Sequence, residues 1–377
     1  MYPEGRELPM ACLGHLLLKV TIGPLSLSCA RFSMQAHMTP PLLLRPFTLL
    51  LVLLCALSAG CADDSDVVIY CALDQSDSEP IIREFEKRTG LKVRAEFDVE
   101  AHKTVGLVRR IREEQGTPRC DVFWNNEIAH TVSLAEDGLL AEYDSPSAKG
   151  IPETFRDSKR RWTGFAARAR VFIVNTDKAD PAEIKGMWDL VDPKWKGDCG
   201  IARPLTGTTL THMTALFVRL GEEKTREYLQ KIKDGEVNLT SGNATLMRLV
   251  SEGAFSWGWT DTDDYNRARL KGAKVAMVFP DAGPDGIGTL FIPNTIAVLK
   301  NAPHPEAARQ LLDYLLSEEV EAKLASFDGA QIPLHESLRS KPHALPIEKM
   351  KPMEVDYTAI GAQIDDRFQE LRELFLD

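Results

Sequence analysis

The chain has 377 residues, 44% of them hydrophobic and 27% charged, with a formal net charge of −10. That balance is globular and the length allows a sizeable core divided into two domains. The acidic excess, with no arginine-rich tail, argues against non-specific binding to nucleic acid.

In chain order, the first feature is Arg45, followed by the apolar run Phe47 to Ala56 and by Leu57-Ser58-Ala59-Gly60-Cys61. A basic residue, an apolar run and small residues before a cut site make a secretory signal. The run is about half of the ~20 residues that a membrane span requires, which argues against an uncleaved helix. A cysteine directly after the small residues resembles the lipobox of bacterial lipoproteins. The resemblance implies that residues 1–60 are removed and that Cys61 is acylated, which holds the protein at a membrane outside the cytoplasm. Residues before Met38 show no ordered signal, so Met34 and Met38 are alternative starts. No second apolar span follows Cys61.

Of the seven cysteines, Cys12, Cys29 and Cys55 precede the cut. Cys71, Cys120 and Cys199 remain, an odd number with no metal-binding spacing. Three buried thiols are expected, with one disulfide as the alternative.

Val67-Val68-Ile69-Tyr70 reads as a buried strand, Pro80 to Thr89 as a helix stopped by Gly90, and Leu91 to Phe97 as a second strand. A helix from Val105 to Glu114 and a strand over Asp121 to Trp124 complete a β-α-β-α-β rhythm, the pattern of a parallel sheet. Ligands of such sheets sit beyond the carboxyl ends of the strands, so Ala72 to Ser76 and Asn125 to Glu127 share a rim. Ala166 to Asn175 is a long strand. Gly200 to Ala202, Phe255 to Trp259 and Lys274 to Phe279 are strands of a second unit. Its helices are Leu210 to Leu220, Thr225 to Lys233 and Asn243 to Glu252, with a short helix and loop over Trp188 to Lys196. Thr289 to Leu299 is a strand that can return the chain to the first unit. His304 to Leu316 and Glu318 to Ser326 are paired surface helices, and Tyr357 to Phe375 is an amphipathic one.

Three constellations can carry chemistry. Thr206-Gly207-Thr208-Thr209 opens a helix, where backbone N–H groups and partial positive charge attract anions; a plain N-cap is the simpler alternative. Asp261, Asp263 and Asp264 crowd three carboxylates into four residues, which suits a cation or ammonium group. A solvated helix start, where aspartates are favoured, is the alternative. Asn125, Asn126 and Glu127 follow a strand as ligand hydrogen-bonders or as a turn. Asp74, Asn243 and Asp281 carry the same ambiguity. Arg168 and Arg170 can reach an anion or form surface ion pairs, while Trp257 and Trp259 suit core packing. There is no HExxH, GxSxG or Walker loop.

Together these residues resemble bacterial extracellular solute-binding proteins of the ferric-ion type. The blocks are Ile69-Tyr70 through Lys87-Arg88-Thr89-Gly90-Leu91-Lys92-Val93, Asp121 to Glu127 with Gly138-Leu139-Leu140, and Gly288-Thr289 through Pro293-Asn294-Thr295 with His304 to Ala308. The resemblance runs from about Val67 to Leu338. It implies an α/β, two-lobed Venus-flytrap fold of the type II periplasmic-binding-protein kind, with hinged parallel-type sheets. Residues 61–168 with 296–377 would form one lobe and 169–295 the other. The solute would be handed to an ABC permease, with no resident cofactor and no enzymatic role.

In the ferric members a histidine, a glutamate and paired tyrosines bind iron, beside an anion at a helix start. By block position Asp74 stands for the histidine, Asn126 for the glutamate and Asp263-Asp264 for the tyrosine pair, with Tyr265 adjacent. The anion site is retained in Thr206, Gly207, Thr208 and Thr209, with Asn243 and Asp261 nearby. Two solutes fit this pattern: iron(III) with a synergistic anion, held by Asp263 and Asp264, or an aminophosphonate such as 2-aminoethylphosphonate. Outside the receptor class, a metal-dependent hydrolase built on Asp261, Asp263 and Asp264 lacks a convincing base, and a sensor of a signalling partner is a third alternative.

Overall fold

The computed structural model describes residues 65–98 and 105–376. The expected signal segment and Cys61 lie outside the described residues. The first half of the fold begins with strand β1 (Val67–Cys71), helix α1 (Gln75–Thr89) and strand β2 (Val93–Phe97). Helix α2 (Val105–Glu113), strand β3 (Val122–Asn125) and helix α3 (Ala129–Glu136) follow. β1 pairs in parallel with both β2 and β3.

All five residues of β1 are buried, which is why the sequence shows a continuous apolar run rather than alternation. Side chains of a strand point alternately to its two faces. Val68 and Tyr70 accordingly join one apolar layer, while Val67, Ile69 and Cys71 join the other. α1 begins five residues before Pro80, the expected start. Proline lacks an N–H and cannot bond the Ser76 carbonyl one turn back; the helix still forms because Ile81, Ile82 and Phe85 bury beside the sheet.

Strand β4 (Thr163–Asn175) is buried along all thirteen residues and leads into the second half. That half contains strand β5 (Cys199–Ala202), helices α4 (Gly207–Leu220) and α5 (Glu222–Asp234), and strand β6 (Asn238–Thr240). Helix α6 (Asn243–Ser251), strand β7 (Trp257–Asp261), helix α7 (Thr262–Leu270) and strand β8 (Val275–Val278) come next. Strand β9 (Phe291–Val298) runs back, followed by helices α8 (Pro305–Leu315), α9 (Glu318–Ser326), α10 (Glu336–Arg339) and α11 (Tyr357–Leu376). The segment expected as a short helix near Trp188 forms 3₁₀ turns at Met187–Val191 and Pro193–Trp195.

Among the described residues the strands pair in the order β2-β1-β3-β9-β4-β7-β5-β6, with β8 on β4. The outer groups are parallel, as expected. The centre departs from a parallel sheet: β9 is antiparallel to β3 and β4, and β4 is antiparallel to β7 and β8. The antiparallel centre follows from the two crossings, since β4 leaves the first group and β9 returns to it. The fold is α/β and two-lobed.

The register of β4 against β9 shifts between Phe165 and Arg168. Ala166 sits there with φ of 43°, a conformation that a β-carbon disfavours. Its N–H donates to Glu321 Oε1 (2.6 Å) and its carbonyl accepts from Asn294 Nδ2. Cys71, Cys120 and Cys199 are buried thiols with no disulfide between them. No helix of the described residues is long and apolar enough to cross a membrane.

Candidate functional site

Five chain segments leave the carboxyl ends of β1, β3, β5, β6 and β7 and meet around a cavity of about 230 Å³. They bring Asp74 and Ser76, then Asn126, then Thr206 to Thr209, then Gly242 and Asn243, and lastly Asp261, Asp263 and Asp264. This is the location that strand topology favours for a ligand. Ten of the eleven binding residues expected from sequence line it. Asn125 does not: its side-chain amide donates to Glu127 (2.8 Å) and Thr131 (3.0 Å). Asp281 also lies elsewhere and accepts from the Met187 N–H (3.0 Å). Tyr265 packs among apolar side chains and is not in the cavity wall. A larger open groove, about 700 Å³, lies between Phe291, Ile332 and residues 339–352, and none of the strand-end residues enters it.

The start of α4 forms one wall. Thr206 is its N-cap with an extended backbone, and its side chain makes no capping bond. Gly207 has φ of +56°, with open space where a β-carbon would project. The residue must therefore be one that tolerates the left-handed region. N–H groups of a helix's first turn have no intrahelical acceptor and carry partial positive charge. Thr208 is fixed from three sides: its hydroxyl donates to Asp261 Oδ2 (2.7 Å) and accepts from Asn243 Nδ2 (2.9 Å) and Arg170 Nη1 (3.2 Å).

Asp261 ends β7 and Asp263 and Asp264 occupy the first turn of α7. All three are buried. Single oxygens from each lie within 4.8 Å of one another, a spacing that can hold a metal ion. Like charges this close must be compensated or neutralised. Arginines provide most of the compensation. Arg170 Nη1 bonds Asp261 (2.8 Å), and Arg168 Nη1 stands 4.0 Å from Asp261 and 3.8 Å from Asp263. Arg267 Nη1 bonds Asp263 (3.1 Å) and Asp74 (3.2 Å), and its other terminal nitrogen bonds Asp77. Arg168 and Arg170 are therefore buried charges and do not form surface pairs.

The three carboxyls differ in consequence. Burial opposes the charge of Asp261, but Arg170, Arg168 and the Thr208 hydroxyl outweigh it and hold the group below the usual carboxylate range. Burial pushes Asp263 up against the pull of Arg168 and Arg267. Asp264 is pushed well up, by burial and then by the charges of Asp263 and Asp261. Asp264 Oδ2 accepts from the Thr260 hydroxyl (2.6 Å). Asp263 Oδ1 is buried and has no hydrogen-bond partner, a costly state unless something else occupies the site.

Arg267 and Lys271 line the cavity and were not anticipated from sequence. A helical reading from Thr262 would have found the first, because Asp263 and Arg267 are one turn apart on one helix face.

A family model described as "Bacterial extracellular solute-binding protein" matches residues 81–346. Iron uptake protein A1 of Synechocystis sp. is 27% identical over 295 residues, covering 74% of this chain and 80% of that protein. The Salmonella typhi protein named "Putative 2-aminoethylphosphonate-binding periplasmic protein" is 27% identical over 248 residues, covering 64% of this chain and 69% of its own. The crystal structure of iron-bound HitA from Pseudomonas aeruginosa superposes with a TM-score of 0.74 at 23% identity, covering 82% of this chain and 99% of that one. With the cavity at the strand ends between the two halves of the sheet, the match over residues 81–346 identifies the chain: it belongs to the bacterial extracellular solute-binding proteins, receptors of transporters and not enzymes.

Proposed function

We propose that this protein is the lipid-anchored receptor of an ABC uptake transporter and that its cavity takes a small solute carrying both an anionic and an ammonium group. One observation supports the ligand chemistry above the others. The cavity is lined both by the first turn of α4 and by Asp263, whose Oδ1 is buried without a partner. A phosphonate would accept from the N–H groups that open α4 and from the Thr206 hydroxyl, since the Thr208 and Thr209 hydroxyls already donate to Asp261 and Asn243. An ammonium group would donate to Asp263 Oδ1. 2-Aminoethylphosphonate has both ends, and one relative bears its name.

The second reading, iron(III) with an anion, is favoured by the 4.8 Å carboxylate cluster and by the likeness to an iron uptake protein. Iron would take Asp263 and Asp264 as its ligands. It would have to compete with Arg168 and Arg267 for Asp263, and neither tyrosine nor histidine lines the cavity. In either case Asp74 and Asn126 act from the first lobe (61–168 with 296–377) and the remaining residues from the second (169–295). Bound solute then favours the closed form, because only that form satisfies both sides.

A thermal-shift series tests the solute. A ligand at a hundredfold excess over its Kd stabilises the folded state by about 2.7 kcal/mol, which is several degrees in Tm for a chain of this size. 2-Aminoethylphosphonate is expected to give that shift. A shift from iron(III) citrate alone selects the second reading, and a shift from a neutral sugar alone contradicts both. Cys61→Ser is expected to move the protein from the membrane fraction to the soluble one; retention after detergent-free washing would contradict acylation at Cys61.

A further inference from the structure

We infer that Arg267 determines which charge type the cavity accepts, acting as a built-in cation that takes up Asp263, one of the three carboxylates that could hold a metal ion. The inference rests on the solute reading above and gives it a specificity residue. Arg267 stands on α7, in the second half of the sheet's following helices, yet its guanidinium reaches Asp74 (3.2 Å) and Asp77 at the start of α1 in the first half. It also bonds Asp263 Oδ2 (3.1 Å) beside the cavity. One planar cation thus joins three carboxylates from both sides of the cavity through the several donors of its guanidinium.

The consequences for selectivity follow from charge. With Arg267 in place, Asp74, Asp77 and Asp263 already have a counter-ion, and Asp261 has Arg170 and Arg168. A trivalent metal would have to displace fixed cations that cannot leave the site. A singly charged ammonium can use an acceptor that displaces no arginine, Asp263 Oδ1, which is buried and unpartnered. Arg267 therefore excludes bare hard cations while leaving Asp263 Oδ1 as an acceptor for a donor group. Its side chain is itself mostly buried, so the pairing is weakly screened by salt.

The test uses terbium(III) as a hard-cation probe, with luminescence sensitised by the protein's tryptophans, on the full chain and on Arg267→Gln and Arg267→Lys. Arg267→Gln is expected to bind terbium at least about tenfold more tightly than the parent, because several uncompensated carboxylates then face one site. Arg267→Lys, which keeps the charge, is expected to stay close to the parent. If Arg267→Gln fails to fold, Asp77→Asn with Arg267→Gln removes the buried charge left behind and carries the same expectation. Equal terbium affinity in the parent and the folded glutamine variant overturns the inference, as does tight binding by the parent. Binding of 2-aminoethylphosphonate to the parent is measured in parallel. A glutamine variant that gains terbium while the parent ignores 2-aminoethylphosphonate supports the role of Arg267 and removes the aminophosphonate reading. Binding of 2-aminoethylphosphonate without any terbium gain does the reverse.

Discussion

Asp264 lines the cavity as a buried carboxyl, at a cost to the fold. Its folded-state proton affinity is raised well above the ordinary value by burial and by Asp263 and Asp261. An acid raised in this way binds more protons folded than unfolded. Stability should therefore be lost as pH rises above the unfolded value near ~4 towards the folded value. Asp264→Asn is expected to match the parent near pH 4 and to melt at a higher temperature at pH 7. Parallel melting curves for the two proteins across that range would show that Asp264 is not held neutral. Asp261 has the opposite sign: the arginines depress it, so its contribution is present at neutral pH and fades as pH falls through its folded value. The types of these residues were legible in the sequence, as was their crowding. The buried arginines were not, because a lone arginine on a strand gives no sign of whether it faces solvent or a carboxylate on another element.

Among the elements, the bulged part of β4 depends on a device remote from the cavity. Glu321 is fully buried and accepts from the N–H groups of Ala166, Leu334 and His335 and from His335 Nδ1 (2.7 Å). The other imidazole nitrogen faces the Ser147 carbonyl (3.1 Å). Both partners are acceptors, so both nitrogens must donate and the ring is an imidazolium. Burial opposes that charge, but Glu321 outweighs it and raises the group above its ordinary value. This contribution is complete below about pH 6.5, the unfolded value, and is lost as pH rises through the folded one. Glu321→Gln is expected to cost roughly 3 kcal/mol at pH 6, since it leaves a buried cation unpaired, and less above the folded value. An unchanged urea midpoint at pH 6 would refute this role.

α11 is a second connecting element. It packs on α3 and on α4. Gly361 is the contact point, because an added β-carbon would lie 2.3 Å from Val132. Gly361→Ala is expected to destabilise by about 1–3 kcal/mol through overpacking, read from denaturant melts; an unaltered midpoint would show that the helix can shift. The amphipathic period of α11 was plain in the sequence. Two other elements were not, since α3 is buried almost all round and has no periodic signal and β6 has only three residues, while the start of α7 was legible only as an alternative to a cation site because its aspartates suit both.

At the scale of the molecule, β4 and β9 are the crossings that hold the two strand groups in one sheet. The outer parallel groups were legible because both-face burial leaves unbroken apolar runs. The antiparallel centre was not, since strand direction depends on the order of pairing and not on composition. That order gathers the ends of β1, β3, β5, β6 and β7 at one cavity. It also explains how residues as distant in sequence as Asp74 and Asp263 come to share a guanidinium.

The most direct measurement is calorimetric titration of 2-aminoethylphosphonate into the parent protein and into Asp263→Asn with Asp264→Asn. Binding is expected to be saturable with one solute per chain, and the variant to lose at least about a hundredfold in affinity, equivalent to roughly 2.7 kcal/mol, while its melting remains cooperative. Equal affinity in the two proteins would contradict recognition by the start of α4 together with Asp263.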